Sequence, residues 1–219
     1  MKRNILFAFA IAISLYSCSG KKTEGSIYYT VEYQLPDSLK EYAEHLPKQA
    51  MVYFKGDSTV SIQAGKEEST SIVTNQKTTF MRALLKSDEQ KKYYAIDYDK
   101  NGQAEELASM PSYTFTKTTE HKSIAGYEAY KYNLKEKLTG DEAEAWFTKD
   151  VAIIPNSLTL NLDTALGVPL SFTSKQNGII VKTTAKDIKF EKVPDGVFNT
   201  PKGYEFLTPQ QFKNMTSGN

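Results

Sequence analysis

The stretch GSIYYTVEYQLP, residues 25–36, decides the fold class. Ile27, Tyr29, Val31 and Tyr33 fall on one side of an extended chain, and Tyr28, Thr30, Glu32 and Gln34 on the other. A two-residue period marks a strand with a buried face, and Pro36 ends it. Downstream the pattern recurs in short runs: 51–55, 59–63, 71–74, 79–85, 93–98, 113–117, 128–135, 143–148, 158–162, 170–173 and 178–190. Turn residues separate them. Asn101-Gly102 and Asn177-Gly178 are read as hairpin turns, because Asn-Gly accepts positive φ at both central positions. The expected architecture is mainly β, a sandwich, barrel or strongly curved antiparallel sheet.

Helical signals are few. Asp37 or Ser38 can cap a segment with Leu39, Tyr42, Ala43 and Leu46 on one stripe, stopped by Pro47. A last short helix is expected from Thr208, with Pro209 at its first position. Between Phe190 and Thr208, Pro194, Gly196, Pro201 and Gly203 exclude a regular helix or a central strand. Val197, Phe198, Tyr204 and Phe206 are expected to pack on the sheet.

The N-terminus has a different logic. Lys2 and Arg3 precede an uncharged apolar run from Ile5 to Tyr16, too short to span a bilayer. Residues 1–17 therefore read as a secretion signal. Cys18, the one cysteine, follows Leu15-Tyr16-Ser17, an arrangement that resembles the lipobox of bacterial lipoproteins and implies lipid attachment at Cys18. A lone thiol in an exported chain has no partner for an internal disulfide. Residues 18–24 read as a tether and 25–219 as one domain. Two of the 27 basic residues lie in the signal, leaving the remainder nearly balanced against 26 acidic ones. That balance gives no reason to expect nucleic acid. The expected location is the cell envelope, lipid-anchored at the outer membrane and facing the periplasm, with the membrane as one partner.

Catalytic and metal-binding patterns are hard to find. His45 has only Glu41 one helical turn away, whereas metal sites usually take three or four ligands. His121 falls in a polar segment, residues 118–122, read as a turn. Asp141, Glu142 and Glu144 cluster beside Gly140 as a solvated edge. No nucleophile elbow or phosphate-binding glycine loop occurs. The chain is expected not to be an enzyme and to need no cofactor or metal.

The tyrosine and phenylalanine content, 14 and 11 residues, is the positive signal. Aromatic residues on alternating strands suit an ordinary sheet core or the wall of a pocket for a greasy ligand. Ile27, Tyr29, Val31, Tyr33, Met51, Tyr53, Val60, Ile62, Phe80 and Leu84 are the candidate ligand-binding residues. Periodicity alone does not decide which strand face looks into the cavity.

Four further segments carry a family likeness: KSIAGYEAYKY at 122–132, EAWFT at 144–148, GVPLSF at 167–172, and the Phe198 to Tyr204 segment. Their order resembles a family of small bacterial lipoproteins akin to the LolA/LolB lipoprotein carriers. The resemblance implies a half-barrel, a highly curved antiparallel sheet with short lid helices over an apolar cavity for acyl chains. Lipid at Cys18 makes the anchored receptor the nearer analogue. Two functions stay open: binding a hydrophobic or acylated ligand, or a structural role holding another envelope protein.

Overall fold

A computed structural model describes residues 23–176 and 178–217. The signal at 1–17 and the attachment point Cys18 lie outside the described residues.

Twelve strands form one sheet: β1 (Glu24–Gln34), β2 (Gln49–Lys55), β3 (Ser58–Ala64), β4 (Glu68–Asn75), β5 (Phe80–Ser87), β6 (Lys92–Tyr98), β7 (Tyr113–Ile124), β8 (Tyr127–Glu136), β9 (Glu142–Thr148), β10 (Val168–Gln176), β11 (Ile179–Lys189) and β12 (Glu205–Leu207). Helix α1 (Lys100–Ser109) joins β6 to β7, and α2 (Pro209–Ser217) follows β12. The order across the sheet is β12-β6-β5-β4-β3-β2-β1-β11-β10-β9-β8-β7. Every pairing is antiparallel except β12 with β6. The mainly β expectation holds, and the sheet is open rather than closed into a barrel.

Chain length shows why the sheet bends. Strands β6 and β7 stand ten places apart, about 48 Å across a flat sheet at strand spacing. The connection from Tyr98 to Tyr113 is a ten-residue helix and a few extended residues, reaching about 35 Å at most. The two halves must curl toward α1.

The ladder registers assign the faces. Ile27 pairs with Val52 and Tyr29 with Ala50, while Tyr28 pairs with Met51 and Ser26 with Tyr53. Val52 and Ala50 therefore share the face of Ile27, and Met51 and Tyr53 point the other way. The inner face carries most of the large core, including Ile27, Tyr29, Val52, Phe54 and Phe147. A second cluster of Ala83, Ile96 and Leu207 packs with Phe212 of α2. On the outer face the tail after β11 crosses the sheet. The Val193 amide donates to Glu24 Oε1 (2.9 Å), Arg82 donates to Thr200 Oγ1 (2.8 Å), and Tyr204 packs on Tyr93. The expectation that this tail packs on the sheet is met for Tyr204; Phe206 is 58% exposed, though Arg82 lies over its ring.

Several local expectations need correction. Asp99-Lys100-Asn101-Gly102 opens α1 instead of a hairpin, because the Asp99 carboxylate accepts from the Gly102 amide (2.7 Å) and caps the helix. The segment at Asp37–Glu44 is a 3₁₀ helix with no buried residue, and Pro36 occupies its cap without a side-chain bond. Residues 158–162 are turns, not a strand. His121 lies within β7, and the turn comes at Ala125-Gly126, where φ is 50° and 84°. Glu24, assigned to the tether, is the first residue of β1 and pairs with Lys55. The final helix is as expected, with Thr208 and Gln211 exchanging bonds in a capping box.

Candidate functional site

The loop joining β9 to β10, residues 149–167, lies over the inner face. Hairpin neighbours are usually joined by two to five residues, and loops beyond about 12–15 residues without regular structure are commonly functional. The Asn156 side chain accepts from the Leu158 amide (3.0 Å) and from Ser61 Oγ of β3 (3.4 Å). Thr159 and Leu162 continue in tight turns, and Asn161 Nδ2 donates to the Pro111 carbonyl (3.2 Å). Asp163 caps the turn at Thr164–Leu166 by accepting from the Ala165 amide (2.9 Å). The loop so satisfies much of its own backbone while crossing from β9 to β3 and back.

Gly167 closes the strap. Its φ is 120°, and a Cβ there would stand 2.2 Å from the Thr148 carbonyl oxygen. Only glycine lets the returning chain meet Thr148 so closely.

Between strap and sheet remains a half-open hollow of about 600 Å³. Ile27 and Tyr29 lie beneath it with no accessible surface of their own, and its walls include Ile153, Ile154, Leu162 and Val168. Ile153 and Ile154 are only half-buried, so they present apolar surface to the hollow. Lys149 and Asp163 are the charged residues of the lining, and both are exposed. Histidine and cysteine are absent from it among the described residues.

Tyr29 is the unusual member. It is fully buried, flanked on the neighbouring strands by Ala50 and Ala185, and set edge-on to Phe172 at 6.3 Å. The two alanines leave room for its ring. Its hydroxyl makes no hydrogen bond among the described residues. Burial pushes that hydroxyl far above the ordinary tyrosine range, and the Asn156 side chain pulls the other way.

Of the ten candidate residues, Ile27 and Tyr29 line the hollow. Val31 and Tyr33 share their face, with Val31 in the core and the Tyr33 hydroxyl donating to the Pro47 carbonyl (2.9 Å). Met51, Tyr53, Val60, Ile62, Phe80 and Leu84 lie on the outer face, as their registers with Tyr28, Ser26, Val73, Ser71, Asn75 and one another require. The candidate set therefore mixed the two faces. The strap residues were missed, although Val151-Ala-Ile-Ile-Pro155 is an apolar run that its own proline keeps from being a central strand.

The other polar groups have local partners. Asp141 pairs with Lys175 (2.7 Å), and Glu144 with Lys131 (3.2 Å). His121 Nδ1 is 3.0 Å from Glu128 and its ring stacks on Tyr130. Among the described residues no group of three or more His, Cys, Asp or Glu could hold a metal ion. Nor is any described helix long and apolar enough to cross a membrane.

Residues 38–156, more than half of the chain, match the model of a domain of unknown function (DUF4412). The chain belongs to that family. The match runs from the 3₁₀ helix to Asn156 in the strap, leaving β1, β10, β11 and β12 outside it. No curated protein matches. Among solved structures, that of PNGF-II is similar with a TM-score of 0.51 and 17% identity. The likeness covers 90% of this chain and 33% of the PNGF-II chain. At that identity it speaks for the fold alone, and this chain spans about a third of PNGF-II. Neither finding carries the resemblance to the LolA/LolB carriers.

Proposed function

We propose that this DUF4412 chain is a lipid-anchored envelope protein that binds a hydrophobic or acylated ligand between its sheet and its strap. The reading is carried by one observation, the apolar hollow of about 600 Å³ beneath residues 149–167. That volume lies within the range of about 300–1,000 Å³ typical of small-ligand sites. The strap occupies much of the inner face, so the space suits a single chain or small amphipath better than several acyl chains together. The lipobox-like sequence at Cys18 supports the anchor, and with it a position at the outer membrane facing the periplasm. A function close to the anchored receptor of the LolA/LolB carriers belongs to the same proposal. The chain acts as a binder rather than an enzyme, since its lining holds one phenol and two exposed charges instead of an acid–base pair.

The test is organic extraction and mass spectrometry of the full chain purified from membranes, followed by titration with acyl probes. Co-purified lipid, or saturable uptake of a probe, is expected. Preparations that carry no lipid and take up no probe end the reading. A single dominant protein adduct on crosslinking in intact cells, with no lipid, points instead to the structural role. The exposed edge strand β7, twelve residues long, would then be the surface to map.

A further inference from the structure

We propose that the hollow shelters an acyl chain of this protein's own anchor, the lipid on Cys18. The inference rests on the anchored-binder reading above and names the occupant of its hollow.

The start of the domain stands at the hollow. Thr23 is exposed and part of the lining, and hydrogen bonds fix its place. Its carbonyl accepts from the Gly56 amide (2.9 Å). The carboxylate of Glu24 beside it accepts from Lys55 Nζ and from the Val193 amide, both at 2.9 Å. Cys18 precedes Thr23 by five residues, which span at most about 18 Å. A lipid on Cys18 therefore begins within about 18 Å of the hollow's rim, whatever path those residues take.

The walls suit an alkyl chain. Val151, Ile153, Ile154 and Pro155 are half-buried and apolar, while the charged Lys149 and Asp163 are exposed. A chain laid on those walls leaves both charges in water. The lipobox resemblance implies a diacylglycerol on the Cys18 thiol and a further acyl chain on the new amino terminus. That further chain hangs from the polypeptide alone, so it can turn into the hollow while the other two stay in the bilayer. Methylenes exposed to water are costly, and the bilayer and the hollow are the two apolar shelters within the tether's reach. A short flexible linker also holds its ligand at an effective concentration in the millimolar range, which favours this occupant over one arriving through water. With its own chain inside, the hollow is closed to other ligands, and the protein is held in the membrane by one chain fewer.

The experiment supplies cells that make the protein with a diazirine-bearing palmitic acid, which enters phospholipid and lipoprotein chains alike, and then irradiates them. The purified protein is digested, and its crosslinked peptides are read by mass spectrometry. A Cys18 peptide joined through its lipid to residues 149–167 is expected. An insert of about 20 Gly/Ser residues after Lys22 lengthens the tether about fivefold. It should lower that adduct about tenfold relative to phospholipid adducts on the same strap, as the −3/2 power of linker length implies. A ratio unchanged by the insert, or a strap joined to phospholipid alone, overturns the self-occupation while sparing the binding reading. A strap joined to no lipid overturns both. A Cys18 peptide without lipid overturns the anchor, and the inference with it.

Discussion

Two glycines show how differently a missing Cβ can act. Gly167 and Gly126 both have positive φ, 120° and 84°. At Gly167 an added Cβ meets the Thr148 carbonyl oxygen at 2.2 Å, whereas at Gly126 nothing lies within 4 Å. Gly126→Ala therefore carries conformational strain alone, about 1 kcal/mol. Gly167→Ala adds a backbone collision at the point where the strap rejoins the sheet, so a loss of at least about 2 kcal/mol is expected. Urea unfolding of both variants checks this, and equal losses would mean that the strap's return can widen freely. Phe147 belongs to the same scale. It is 1% exposed and meets Tyr132 and Phe115 edge-on at 5.4 and 6.1 Å. Truncation to alanine should cost about 3–5 kcal/mol by the same measurement.

Among the elements, α1 is the one whose sequence misleads. Asn101-Gly102 and Asn177-Gly178 carry the same hairpin dipeptide, yet the first opens a helix, while Asn177 lies outside the described residues, between the paired strands β10 and β11 in sequence. The difference is Asp99, whose carboxylate accepts from Gly102 and turns the chain into a helix, while the Asp99 carbonyl takes the Gln103 amide. Asp99→Ala should cost about 1 kcal/mol in urea unfolding, whereas Asp99→Asn, which keeps a capping oxygen, should cost little. No loss on the alanine change would show that the Gln103 side chain, bonded to the Tyr98 and Thr79 carbonyls, holds the helix start unaided. Strand existence was legible because alternation is strong in β1, β9 and β11. Strand face was not, and β2 shows why. Its run Ala-Met-Val-Tyr-Phe is apolar on both sides, since the strap and core cover one face and the C-terminal tail crosses the other. A strand buried on both faces loses its period. The strap was illegible for a related reason: its apolar residues are held by side-chain caps at Asn156 and Asp163, and these leave no periodic trace.

Across the whole molecule, one continuous sheet carries two unequal cores. The larger gathers eighteen buried hydrophobic residues, drawn mainly from β1, β2, β7–β11 and the strap, and the smaller gathers three from β5, β6 and β12 beside α2. Between them the inner face of β3 is polar: Thr59 bonds Thr74 at 2.8 Å, and Ser61 reaches Asn156. Hydroxyl pairs hold register there but bury little apolar area, so on the inner face the ladder from β2 to β4 couples the halves more through backbone bonds than through packing, while Val60 and Val73 are buried on the outer face. Local opening follows apolar contact density. The half with α2, β12 and β6 is therefore expected to open at a lower free energy than the half containing Ile27 and Phe147. Native-state amide exchange measures this directly, with protection rising from β12 and β6 through β3 to β1 and β11. The same experiment with bound methyl palmitate should raise protection first in the strap and β1, because the hollow lies wholly on the larger core's side. A single protection level across all twelve strands would mean that β3 transmits packing as well as register, and the division into two cores would have to be given up.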